Sequence, residues 1–114
     1  MIVTPITKYD ATGKSLHLSV GKEYEVLAIE GDCYRVLTDA ESLSYGNDPV
    51  LYESSYFRVI DDSEPAFWVN QYFDGEKYSN PFVWALYFFE DYHDGSESAR
   101  EKFMEHLRKY YPRT

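Results

Sequence analysis

The stretch "LYESSYFRVID", Leu51 to Asp61, decides how this chain is read. It opens on an apolar and aromatic pair, passes through "ESSY", and returns to alternation in "FRVID". Alternation at period two marks a half-buried strand, and a polar tetrapeptide between two such runs reads as one turn of helix. The stretch is therefore strand, helical turn, strand. "PVLY" starts the first strand, with Pro49 at its first position, where a missing N–H is tolerated.

Working towards the N-terminus, "GDCYRVL" places a Gly31-Asp32 turn before a strand rich in β-formers, "CYRVLT". Residues 16–29 carry the partner strand. Leu16, Leu18 and Val20 share one parity, and Tyr24 and Val26 oppose Glu23 and Glu25 after a break at Gly21-Lys22. The polar run at 39–48 reads as a loop. About five short strands thus occupy 16–62, a spacing that favours a small β-barrel over a helical or parallel-sheet fold.

Residues 18–62, with "GDCYRVL" as turn and central strand and "LYESSYFRVID" as strand, turn and closing strand, resemble the Src homology three (SH3)-like barrel. That resemblance implies the fold. In the eukaryotic domains a Trp opens the central strand and a Pro precedes the helical turn. Here those positions hold Cys33 and Glu53, and only Tyr56 keeps a position in the peptide groove. The resemblance therefore extends to the fold and not to polyproline recognition. The whole chain also resembles small bacterial proteins that join such a barrel to a Trp-containing, aromatic, acidic tail, a likeness that names no activity.

Beyond residue 62, "DSEPAFWV" reads as a short turn of helix with Ser63 as N-cap. "VNQYFDGEKYSN" centres on Asp74-Gly75, a strong hairpin signal, and pairs 68–73 with 76–79. "PFVWALYFFEDYHDG", 81–95, reads as a deeply packed helix started by Pro81 and stopped by Gly95, with a buried strand as the competing assignment. Ser98 and Glu101 form a capping box for a last helix with Ala99, Phe103, Leu107, Tyr110 and Tyr111 on its apolar stripe. The expected fold class is α+β. An SH3-like β-barrel spans 1–62, and an aromatic hairpin with one or two C-terminal helices, 63–114, packs on it as one compact unit.

Charge bounds the function classes. Residues 1–94 hold 17 acids against 6 bases, and residues 95–114 hold 3 against 5, for a chain net of −9. An acidic body argues against nucleic-acid or anionic-membrane binding and favours a basic partner. The N-terminus lacks a basic stretch followed by an apolar one, and the longest apolar run is about eight residues, far short of a bilayer span. With Cys33 as the sole cysteine, a cytoplasmic location is expected.

Catalytic signals are weak. Glu90, Asp91, His93 and Asp94 are of metal-ligand type but fit no known spacing, so no metal and no cofactor is expected. No elbow or protease context surrounds Cys33, which reads as an inert strand thiol, and no phosphate-cradling glycine motif occurs. The expected function is a non-enzymatic, acidic protein-binding module, in concrete form a bacterial immunity protein or inhibitor of a basic toxin or enzyme. Its candidate contact residues are Trp68, Tyr72, Trp84, Tyr87, Glu90, Asp91 and Asp94. Two alternatives stand beside it: a small-molecule or carbohydrate binder using exposed aromatics, and a structural or homodimerisation module. Core packing of the same aromatics is the competing account of the cluster.

Overall fold

The computed structural model describes residues 1–39, 48–81, 84, 88–93, 95 and 97–112, with the backbone alone at 90 and 91. The strands are β1 (Ile2–Pro5), β2 (Tyr24–Glu25), β3 (Ala28–Glu30), β4 (Cys33–Leu37), β5 (Pro49–Glu53), β6 (Phe57–Asp61), β7 (Trp68–Phe73) and β8 (Glu76–Pro81). A 3-10 turn, Ser54–Tyr56, separates β5 from β6. Helices α1 (Phe88–His93) and α2 (Glu97–Tyr110) follow. The class is α+β, with β predominant.

The strands form two antiparallel sheets, β2–β1–β6 and β5–β4–β3–β8–β7. Among the described residues no ladder joins them, so the expected barrel is not closed. Two local features keep them apart. The 3-10 turn redirects the chain from one sheet to the other between β5 and β6. A bulge splits the strand expected over 16–29: Ala28 is the ladder partner of Arg35, yet the Leu27 N–H also reaches the Arg35 carbonyl, at 2.8 Å. Two residues facing one bend a strand and reset its parity.

That reset gives the larger sheet a core on each face. Val26 and Val36 lie in a cluster with Val3, Leu16, Leu18, Tyr24, Tyr52, Phe57 and Trp68, between the two sheets. Leu27 and Leu37 lie in a second cluster with Trp84, Tyr92, Ala99, Phe103, Leu107 and Tyr111, under the helices. The adjacent apolar pair Val36-Leu37 is what a strand buried on both faces requires. Leu16 and Leu18 are buried as expected but from a loop, and Val20 is exposed.

The β3–β4 and β7–β8 hairpins form at the expected turns. Asp74 and Gly75 both have positive φ, 50° and 80°, the geometry of a two-residue turn whose twist matches its strands. Gly31 is favoured for a related reason. At φ 61° any side chain there would be strained, and its Cβ would meet Glu76 Oε2 at 2.9 Å, a contact that a shift of the Glu76 side chain would relieve. β8 joins the sheet through Ile29↔Ser79 and Glu30↔Tyr78, making the hairpin a continuation of the sheet.

Three expected starts are displaced. Pro81 does not begin a helix; it ends β8 opposite Trp68, at a strand end where its missing N–H breaks no β7–β8 bond. Residues 82, 83, 85–87 and 94 of the expected aromatic helix lie outside the described residues, and its α-helical part is Phe88–His93, followed by Gly95 at φ 88°. Helix α2 starts at Glu97, so Ser98 lies inside the first turn and not at the cap. Residues 63–67 form a turn closed by Trp68 N–H on the Pro65 carbonyl, without helix, and Ser63 binds the Asp61 carboxylate instead of capping. The apolar stripe of α2 is as expected: Ala99, Phe103, Leu107 and the following Tyr111 are buried.

Tyr111 fastens the layers. Its hydroxyl donates to the Leu27 carbonyl and accepts from the Trp68 indole, each at 2.7 Å, while its ring stacks on Trp84 at 5.6 Å and 16°. Tyr111→Phe leaves a buried donor and a buried acceptor unmatched. It is expected to cost about 2 kcal/mol in urea unfolding, whereas Tyr110→Phe, at a half-buried ring, should leave the midpoint nearly unchanged.

Candidate functional site

The aromatics singled out in the sequence divide between core and surface. Trp68 is 7% exposed and Trp84 is 3% exposed. Their indole N–H groups are spent internally, Trp68 on Tyr111 and Trp84 on His106 Nδ1 at 2.9 Å. Neither is a contact residue, and neither offers a ring face to a sugar. Both are buried because each finds an internal acceptor for its one polar atom. Tyr72, by contrast, is 67% exposed. Tyr87 and Asp94 lie outside the described residues, and Glu90 and Asp91 are placed by backbone alone, in α1.

Tyr72 belongs to a surface that the sequence reading only partly named. Phe73, next to the turn, is 47% exposed and meets Tyr78 edge-on at 5.4 Å. Val69 is exposed on the same strand. Cross-strand pairing puts Val69, Gln71 and Phe73 on one face with Tyr78 and Glu76, and Tyr72 on the other with Lys77. Lys77 is paired with Glu64, so its charge is already matched.

Acids surround this end of the sheet. Burial pushes the Cys33 thiol up, and Glu53, Asp32, Glu30 and Glu76 push it further. Burial also raises the Tyr78 hydroxyl, with Glu76, Glu30 and Asp74 adding to it. Glu30 and Glu76 act on both groups, which links the acids of the β3–β4 turn to those of the β7–β8 turn. Glu30 has a cationic partner among the described residues: the buried Arg35, which binds it at 2.7 Å, donates to the Pro49 carbonyl at 2.8 Å and lies 3.9 Å over the Phe89 ring. A thiol raised in this way has less thiolate at neutral pH than an ordinary cysteine.

A second concave region lies between the sheets and α2. It encloses about 400 Å³ and is lined by Ile2, Tyr24, Val36, Leu37, Met104 and Asp39, among others. Asp39 was not singled out in the sequence. It accepts from the Tyr24 hydroxyl at 2.6 Å, the Ser19 hydroxyl at 2.7 Å and Lys22 Nζ at 3.2 Å. Its burial raises the carboxyl, but those three hydrogen bonds outweigh it and hold the group below the ordinary aspartate range. With three donors already bound, Asp39 closes a loop and has little capacity left for a ligand. Among the described residues, no three His, Cys, Asp or Glu side chains converge as a metal would need, and no helix is long and apolar enough to cross a membrane.

No protein-family model matches the chain, and no curated protein or solved structure does either. The acidic, aromatic sheet end is therefore judged on its own geometry.

Among the described residues, His106 and Asp39 are the part-buried groups whose shifts bear on acid stability. Burial lowers the His106 pKa below its usual 6.5, Lys109 and Lys102 reinforce this, and Glu105 opposes it. A depressed histidine supports the fold above about 6.5 and loses that support as pH falls through the folded value, when Nδ1 stops accepting from Trp84. Asp39, also depressed, supports the fold above about 3.8 and fails only below it. Denaturant midpoints should therefore fall in two windows. His106→Gln should flatten the upper one and Asp39→Asn the lower one.

Proposed function

We propose that this protein is a non-enzymatic binding module that docks a basic protein surface with the β7–β8 end of its larger sheet. A small acidic inhibitor or immunity protein that covers a basic toxin or enzyme is its concrete form. One observation carries the reading: Val69, Tyr72 and Phe73 are exposed together on one strand beside Asp74 and Glu76, with Asp32 and Glu53 farther across the same end of the sheet. Tyrosine and phenylalanine give contact area at low entropic cost, and flanking acids steer and orient a cationic partner.

The chain course supports the SH3-like reading of the first half. The first strand pairs with the strand after the 3-10 turn, Pro5↔Phe57 to Val3↔Val59, and the hairpin β3–β4 continues through β5. We read it as such a barrel left open, its second sheet extended by a hairpin. The free Cys33 suits a reducing compartment, and we place the protein in the cytoplasm.

Affinity capture from native lysate at low and high salt tests the function. A basic protein should be retained at low salt, released at high salt, and weakened about tenfold or more by Tyr72→Ala or by Glu53→Lys with Glu76→Lys. No partner above background at either salt would sink the proposal. So would a partner that binds these variants as well as the parent chain.

A further inference from the structure

The two sheets end on four strands, and sheet edges invite pairing unless something blocks it. Edge strand β2 carries Glu25, β6 carries Arg58 and Asp61, and β5 carries Pro49 and Glu53. β7 reads Trp68-Val69-Asn70-Gln71-Tyr72-Phe73, with no charge and no proline. It pairs six consecutive residues with β8 without a bulge, so nothing twists it away from an approaching strand. Every residue of β7 after Trp68 is exposed.

The hairpin fixes which backbone groups face outward. Phe73↔Glu76 closes a two-residue turn, so Phe73, Gln71 and Val69 spend their N–H and C=O groups on β8. Asn70 and Tyr72 must then direct theirs to the open side. The far side of β8 agrees with this phase: Lys77, opposite Tyr72, gives its carbonyl to the Gly31 N–H of the neighbouring hairpin at 2.9 Å. The Asn70 side chain is turned inward, accepting from the Ser79 hydroxyl at 2.6 Å. Two residues about 7 Å apart thus offer a donor and an acceptor each to an added strand.

We propose that β7 receives an extended, basic segment of a protein partner as the sixth strand of this sheet. The inference rests on the basic-partner reading above and specifies its mode. Charge selects the occupant. A second copy, itself at −9, would bring its acids to an end holding Asp74 and Glu76 next to β7, with Asp32 and Glu53 farther across the same sheet end. A segment interleaving Lys or Arg with β-branched or aromatic residues matches those acids and covers Val69, Phe73 and Tyr78.

Amide hydrogen exchange on the full chain tests this, with a synthetic peptide alternating lysine with valine and tyrosine at low salt. Exchange at Asn70 and Tyr72 should slow about tenfold or more, while Val69, Gln71 and Phe73, already bonded to β8, change little. High salt, or N-methylation of the peptide's alternate amides, should remove the effect. Tyr72→Pro should abolish it at an unchanged melting temperature, because that N–H serves no bond within the fold. Tyr72→Lys gives the same readout if the proline disturbs the turn.

Peptide binding without slowing at Asn70 and Tyr72 overturns strand addition, even if the lysate experiment recovers a basic partner. An absence of peptide binding overturns it too. Equal slowing by a glutamate version of the peptide overturns the charge assignment. Slowing that grows with protein concentration alone hands the edge to a second copy.

Discussion

The Tyr111 hydroxyl lies where the two cores meet, between the Trp68 indole and the Leu27 carbonyl. Leu27 belongs to the bulge that turns the sheet's parity, and its carbonyl has left the regular ladder. Continuing the register Ile29↔Ser79 by two residues sets Leu27 opposite Pro81, which has no N–H to offer. A buried carbonyl in that position needs a donor from elsewhere. The residue just past α2 supplies it, and in doing so fixes the helix to the sheet and orients the indole that fills the first core. Burial raises the Tyr111 hydroxyl pKa far above the usual tyrosine range, so it remains a donor at any pH the fold survives.

The same device recurs, and it accounts for a chain with twelve tyrosines. The Tyr52 hydroxyl donates to the Leu16 carbonyl. Tyr24 accepts from the Ser19 N–H at 2.8 Å, Tyr56 accepts from the Ala11 N–H at 3.3 Å, and Tyr92 donates to Asp48 at 3.2 Å. Strands of two to six residues leave long connections without ladder partners. A ring that fills a core and ends in a polar atom can pin such a connection from inside. Tyrosine content here reports a fold made of short strands, and among the described tyrosines Tyr72 and the half-buried Tyr78 are set beside the open edge.

Legibility in the sequence followed how local the cause was. The Asp74-Gly75 hairpin, the 3-10 turn at Ser54–Tyr56 and the stripe on α2 depend on residues within a few positions, and each was readable. The bulge at Leu27 was not, because alternation through Tyr24 and Val26 gives no sign that parity will change. Pro81 misled because a proline after asparagine suits a helix start as well as a strand end. For the candidate site, residue type could not separate Trp68 from Tyr72. Both are aromatic residues of one strand, and only the acceptor offered by Tyr111, 43 positions away, draws the first inward. Asp39 gave no signal at all, since its donors come from Ser19, Lys22 and Tyr24 across a turn.

The hairpin that completes the core also creates the exposed edge. β7 begins with a side chain the interior requires and ends, five residues later, in one that water surrounds. The strand must run straight out from Trp68, because a bulge, or a proline at Val69, Gln71 or Phe73, would disturb the β8 pairing that delivers Ser79 and Pro81 to the interior. Those are the usual means of blunting an edge. Lysine on the open side was still available, since the Lys77 opposite Tyr72 already has its charge matched by Glu64. Tyrosine at that position suits a strand on propensity alone, and beside Asp74 and Glu76 it is also what the proposed addition of a cationic strand would use.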